Sequence, residues 1–206
     1  LSRKIKPFIL RRLKEEVAGD LPPKIEMTYY CELTKEQIAL YQKILNEGTT
    51  VAVINDIREG RKFSYTRVWE IMTRLKQVCD HPALVSKRKR PLKGRSEKFD
   101  LIVDKILEIS DMNENVIVFS QFLGMLDLIG LYLSDVNISY ARIDGSVPLK
   151  QRQVMIDMIN KGKVRVGLFS IRASGYGINV TGANHVIIAD LWWNPAVIQQ
   201  AIDRVH

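Results

Sequence analysis

Residues 164–179 read VRVGLFSIRASGYGIN: an apolar run, Val164–Phe169, stops at Ser170 and gives way to small, hydroxyl-bearing and glycine residues. A short apolar run with polar boundaries reads as a strand buried on both faces. Three other runs have the same character: Val116–Phe119 (VIVF), Tyr140–Ile143 and His185–Ala189. Between them the spacing is helical. Phe99, Ile102, Val103 and Ile106 share one face, as do Phe122, Met125, Leu126, Ile129 and Leu133, and Met155, Met158 and Ile159 supply a third. Ser96 is placed to cap the first of these helices, and Pro148 sits where a first helical turn tolerates it. Such alternation predicts an α/β fold, a parallel sheet covered by helices on both faces.

Upstream the text changes. Leu33–Gly48 and Arg67–Cys79 have helical spacing with no strands between them, and Thr34 with Gln37 forms a capping box for the first. The expected organisation is a lead-in over 1–30, a helical insertion over 31–95, and the sheet domain over 96–206. The boundary falls at Lys87–Arg95 (KRKRPLKGR), six positive charges with no negative one, where Pro91 and Gly94 oppose regular structure. Two readings stand: a loop whose Lys87, Arg88, Lys89 and Arg90 lie along phosphates, or a solvated linker. The first residue is Leu1, and the chain is expected to be a piece of a longer protein.

Composition bounds the function classes. Hydrophobic residues make up 46% of 206 residues, enough for a core. No apolar run approaches the roughly 18 residues that cross a bilayer, so no membrane partner is expected. Cys31 and Cys79 are too few for a disulfide framework and form no Cys-x-x-Cys pair, which points to a reduced, intracellular setting without a zinc site. The net charge of +8 suits a polyanionic partner.

In parallel α/β sheets ligands bind at the carboxyl ends of the strands. Here those ends deliver Ser120-Gln121, Asp144-Gly145-Ser146, Ser170–Asn179 and Asp190–Pro195. Small residues let backbone N–H groups approach an oxyanion, and a helix N-terminus adds a favourable dipole. Four such turns on one edge make a surface suited to a phosphate backbone. The last helix, with Gln199, Gln200, Ala201, Asp203, Arg204 and His206, adds an arginine of the kind that stabilises a transferring phosphoryl group or pairs with an acidic neighbour.

Taken together these strings resemble the Swi/Snf ATPases of helicase superfamily two. Gly175-Tyr176-Gly177-Ile178-Asn179, Trp193-Asn194-Pro195 and Gln200–His206 are similar to the family's motifs V and VI, and Val118–Phe122 to motif IV. Ile143–Ser146 with Gln151-Arg152, the segment Leu75–Pro82, and Arg11–Lys14 with Leu21–Lys24 match in order and spacing. The resemblance implies a RecA-like second motor lobe, with ATP and Mg2+ held mainly by a first, N-terminal motor lobe that is a partner of this one. It implies that Arg204 is an arginine finger and that Gln200, Gly175, Gly177 and Asn179 border the nucleotide cleft. Ser120, Gln121, Gly145, Ser146, Arg172, Ala173, Ser174 and Trp193 would face double-stranded DNA, Trp193 alternatively anchoring the last helix. DNA-bound proteins are the further partners implied, in a nucleus or, in a prokaryote, in the cytoplasm or nucleoid. Ile171 stands where many relatives carry threonine, and Ser174 where glycine is frequent.

The sequence contains no G-x-x-x-x-G-K-[ST] loop and no Asp-Glu-x-His box, the usual grips for the β- and γ-phosphates and the metal. By itself this chain is therefore expected to be an inactive half of a DNA-dependent ATP hydrolase. A catalytically inactive DNA- or protein-binding platform and a lobe of an RNA helicase are the alternatives.

Overall fold

A computed structural model describes residues 25–86, 90–175 and 179–205, without the side chains of Ser174 and Gly175. The readings at Arg11–Lys14, Leu21–Lys24, Lys87, Arg88, Lys89, Tyr176, Gly177, Ile178 and His206 lie outside the described residues, as do side-chain readings at Ser174 and Gly175. The chain divides into two compact units, Leu1–Tyr30 and Cys31–His206. Of the first, residues 25–30 are described and form neither helix nor strand.

The second unit begins with three helices, α1 (Lys35–Leu45), α2 (Gly48–Arg58) and α3 (Tyr65–Asp80). The capping box starts α1: the Gln37 N–H donates to Thr34 Oγ1 at 3.3 Å and the Thr34 N–H to Gln37 Oε1 at 3.0 Å. Gln37, 1% exposed, then reaches across with Nε2 to the Val78 and Cys79 carbonyls at 2.8 and 3.1 Å. Those carbonyls belong to the last turn of α3, which has no partner of its own for them. The sequence reading did not anticipate α2. Its text, GTTVAVINDIR, opens on glycine and is rich in β-branched residues, both poor helix formers. Packing supplies what propensity lacks: Thr50 and Val53 are buried, and Arg74 of α3 grips Glu47, the residue before α2, with two bonds of 2.6 and 2.8 Å.

The join to the sheet domain is polar and buried. Ser96, 0% exposed, caps α4 (Glu97–Asp111) by accepting from the Phe99 N–H at 3.2 Å, and its hydroxyl donates to the Asp80 carbonyl at 2.7 Å. One hydroxyl thus starts one helix and finishes another. Beside it the Arg95 guanidinium, 5% exposed, holds Glu36 of α1 through bonds of 2.8 and 2.6 Å. Lys93 pairs with Asp104 at 2.5 Å and Arg90 with Asp135 at 2.6 and 3.1 Å. The three described cations of the basic run are therefore ion-paired, and Arg90 stays exposed.

From here strands and helices alternate: β1 (Val116–Ser120), α5 (Leu123–Asp135), β2 (Tyr140–Ile143), α6 (Leu149–Asn160), β3 (Val166–Ser170), β4 (His185–Ile188) and α7 (Pro195–Asp203). The four strands form one parallel sheet in the order β2-β3-β1-β4. Alternate residues of β1 point to opposite faces. Val116 and Val118 join Phe99, Ile106, Met125 and Ile129 beneath α4 and α5, while Ile117 and Phe119 join Ile143, Ile156, Phe169 and Val205 beneath α6 and α7. Every β1 residue is buried, as a central strand covered on both faces requires. One face was misplaced: in α6 the inward positions are Arg152, Ile156 and Ile159, whereas Met158 is 36% exposed.

Two measurable consequences follow from this packing. A Cβ at Gly167 would lie 2.6 Å from Ile117 Cδ1 and 3.1 Å from Ile159 Cδ1, so Gly167→Val overpacks the α6 side of the sheet. Urea unfolding should show a loss of about 1–3 kcal/mol; unchanged stability would mean that side of the core is slack. Asp80, 2% exposed and bonded to Lys98 at 2.6 Å, has its carboxyl pushed up to about 7, chiefly by burial. A raised carboxylate favours folding while protonated, so stability should fall as pH rises from about 4 to 7 and then level off. Asp80→Asn should remove that fall, and an identical pH profile in the variant would refute the assignment.

Candidate functional site at the strand ends

Because the strands are parallel, their carboxyl ends lie along one edge, where sheets of this kind place their ligands. Along it the turns follow the strand order: 144–146 after β2, 170–175 after β3, 120–121 after β1, and 190–195 after β4. Two carboxylates shape these turns from below. Asp190, 4% exposed, accepts the Ser120 hydroxyl and the Gln121 N–H, the latter at 2.9 Å. Asp144, 7% exposed, accepts from the Ser146 hydroxyl at 2.6 Å, the Ser146 N–H at 2.9 Å and Arg142 Nε at 2.9 Å. The Ser146 hydroxyl, with Arg142 beside it, holds the Asp144 carboxyl below the usual carboxylate range. Arg152 braces this second turn from α6, donating to the Asp144 and Val147 carbonyls at 3.0 and 2.8 Å.

These networks sort the expected DNA-facing residues. Gly145 and Ser146 are exposed, Arg172 is exposed, and Gln121 is partly exposed with Nε2 donating to the Leu191 carbonyl at 3.0 Å. Ser120 and Ala173 are corrections. Ser120 is 0% exposed and its hydroxyl is committed to Asp190; it sets the turn instead of lining the surface. Ala173 is 2% exposed, and its N–H donates to Ser170 Oγ at 3.3 Å. The 3-10 turn at Ile171–Gly175 explains the pattern: Ile171 and Ala173 point into the core and Arg172 points out, its guanidinium 5.3 Å from the Trp192 ring centre. Ile171, 1% exposed, fills an apolar site.

The last helix begins at Asn194, whose side chain caps it by accepting from the Ala196 N–H at 3.0 Å, with Pro195 in the first turn. The helix ends at Asp203, so Arg204 is its C-cap and not a residue within it. Ala201 and Val205 pack with Ile171, Ala173 and Val180, joining the turn after β3 to α7 through one apolar cluster. A backbone bond closes the joint: the Val180 N–H donates to the Arg204 carbonyl at 2.9 Å. Asn179, next to it, is exposed, as is Gln200 one turn before Arg204. The Arg204 guanidinium is half-buried and makes no hydrogen bond or ion pair with the described residues. Arg204, Gln200 and Asn179 each carry N–H donors in their side chains. No group of His, Cys, Asp and Glu among the described residues could hold a metal ion.

Trp193 is 45% exposed and packs on α3, at right angles to Trp69 with ring centres 5.1 Å apart. Asp190, Asp144 and Arg152 shape the edge, yet in the sequence they stood only as members of turns and motifs, with no role of their own. An acidic residue one or two places past a buried strand is the signal that would have found the first two.

Comparison with known proteins agrees with this construction. Residues 97–206, more than half of the chain, match the helicase conserved C-terminal domain family, and residues 1–84 match the SNF2-related domain family. The putative ATP-dependent helicase/translocase YwqA of Bacillus subtilis is 33% identical over 211 residues, covering 100% of this chain and 22% of that protein. The mouse SWI/SNF-related matrix-associated actin-dependent regulator of chromatin subfamily A member 1 is 35% identical over 213 residues, covering 98% and 20%. The chain spans about a fifth of the length of the curated relatives it matches. The Sulfolobus solfataricus SWI2/SNF2 ATPase core, solved in complex with dsDNA, superposes with a TM-score of 0.71 at 33% identity, over 100% of this chain and 43% of that one. The C-terminal domain of the Sulfolobus ATPase gives 0.70 at 31%, over 84% and 75%. The RecA-like sheet with its ordered motifs, and these matches, place the chain in the Swi/Snf-type ATPases of helicase superfamily two, as their C-terminal motor lobe.

Proposed function

We propose that the protein to which this lobe belongs is an ATP-driven translocase on double-stranded DNA that remodels protein–DNA complexes inside the cell. The observation that carries the proposal is the joint between Arg204 and the turn after β3. The 2.9 Å bond from Val180 to the Arg204 carbonyl and the cluster of Ile171, Ala173, Ala201 and Val205 make the arginine and the polar edge one mechanical piece. A shift of Arg204 towards a nucleotide therefore displaces the 170–175 turn, and a shift of the turn on DNA displaces Arg204.

ATP with Mg2+, when bound, supplies the phosphoryl transfer whose free energy drives the cycle. This chain would contribute Arg204 to the charge that develops on the phosphoryl oxygens, with Gln200 and Asn179 bordering the same cleft. The first motor lobe would hold the phosphates and metal. On the DNA side the exposed backbone and side chains of Gly145, Ser146, Gln121 and Arg172 would meet phosphate oxygens, with Trp193 at the end of the row. The relative solved with dsDNA supports double-stranded DNA as the partner. Such contacts are to the backbone, so tracking a duplex needs no strand separation.

Two experiments test this reading. In the full-length protein Arg204→Ala should lower DNA-stimulated ATP turnover at least about 100-fold while leaving DNA affinity within about twofold, since an oriented charge at the transition state is commonly worth about 10³ or more. Wild-type turnover in that variant would remove the finger role. The 206-residue chain alone should bind nucleotide weakly and hydrolyse none; DNA-stimulated phosphate release by this chain would contradict the division of labour between the lobes.

A further inference from the structure

The loop after β4 is held from outside the sheet domain by α3. Tyr65, Trp69, Met72 and Lys76 recur at three- and four-residue intervals along that helix, so they share a face. The face is unusually apolar for a surface: Tyr65 is 73%, Trp69 50% and Met72 39% exposed. It meets the loop at two points. Trp69 packs against Trp193 at an interplanar angle of 86°. Lys76 places Nζ 4.3 Å from the Trp193 ring centre and donates to the Leu191 carbonyl at 2.6 Å. That same carbonyl accepts from Gln121 Nε2, so one atom receives donors from α3 and from the turn after β1. Lys76 forms no ion pair with the described residues. Its charge is directed to a ring face and a carbonyl, an arrangement that restrains position without neutralising charge.

We propose that Lys76 and Trp69 are positioning residues that fix the Trp193 ring and the 190–195 loop at the strand-end edge, so that the helical insertion sets how firmly this lobe grips DNA. The proposal rests on the translocase reading above and deepens it. The chemistry is specific to an ammonium on an aromatic face. A core anchor would bury both rings, whereas here each indole stays about half exposed and can meet a further surface. The loop leads directly to Asn194, the cap of α7, and so to the helix that ends at Arg204. Disturbing the clamp should loosen the edge before it disturbs the fold.

The test uses the full-length protein. Lys76→Met keeps the aliphatic stem and removes the charge. It should raise the duplex DNA concentration needed for half-maximal ATPase stimulation about fivefold, with maximal turnover and Tm nearly unchanged, the size expected for one exposed cation–ring contact. Lys76→Arg should restore the wild-type value, and in a Trp193→Ala background Lys76→Met should have a clearly smaller effect than in the wild type. An unchanged half-maximal concentration, or effects of Lys76→Met and Trp193→Ala that simply add, would overturn the proposal. A second readout is independent of activity. The circular-dichroism band of the coupled indoles should vanish in Trp69→Phe, weaken in Lys76→Met and persist in Trp192→Phe. Loss of that pattern defeats the clamp itself. The pattern without any DNA-stimulated turnover in the wild type would leave the clamp in place and defeat the translocase reading.

Discussion

Asp190 sits at the end of the edge strand β4, 4% exposed, where a carboxylate must find donors or lose its charge. It takes them from the end of the neighbouring strand β1, the Ser120 hydroxyl and the Gln121 N–H. The bond fixes the two turns against each other, and much of the remaining architecture hangs from that point. Gln121, so held, reaches the Leu191 carbonyl, and Lys76 reaches the same atom from α3. Asn194 then caps α7, and α7 packs back on the turn after β3 through Ala201 and Val205. A single buried carboxylate thus stands at the head of a chain of contacts that crosses the edge and returns.

The same economy appears where the helical insertion joins the sheet. Ser96 completes α3 and starts α4 with one hydroxyl, Gln37 completes α3 from α1, and Arg95 fastens α1 to the link between them. These groups are nearly all buried, so removing any one leaves a partner unsatisfied at a cost of about 1–3 kcal/mol. The Asp80 carboxyl lies in this join, and its pKa near neutrality makes the junction sensitive to pH in a way the apolar sheet is not.

Much of the fold was legible because apolar periodicity reports burial directly. All four strands and the helices over Phe99–Ile106 and Phe122–Leu133 could be read that way, as could the caps at Thr34 and Ser96. What escaped was set by tertiary partners. The helix at Gly48–Arg58 has the composition of a strand and is stabilised by Arg74 and by burial of Thr50 and Val53. Ser120 and Ala173 look like surface turn residues, and only the neighbouring Asp190 and Ser170 reveal that they face inward. Arg90, Lys93 and Arg95 read as free charges until Asp135, Asp104 and Glu36, 45, 11 and 59 residues away, are brought beside them. Motif order identified the family, whereas which side chains of each motif reach the surface needed coordinates.

The central claim is that the carboxyl edge of the sheet is the face that meets DNA. Backbone hydrogen exchange of this chain, compared with and without a short DNA duplex at low salt, reads that edge directly. The account predicts added protection confined to residues 120–121, 144–146, 170–175 and 190–195, largely lost when the salt concentration is raised. Protection centred on α4 and α5, or none at the strand ends, would contradict it.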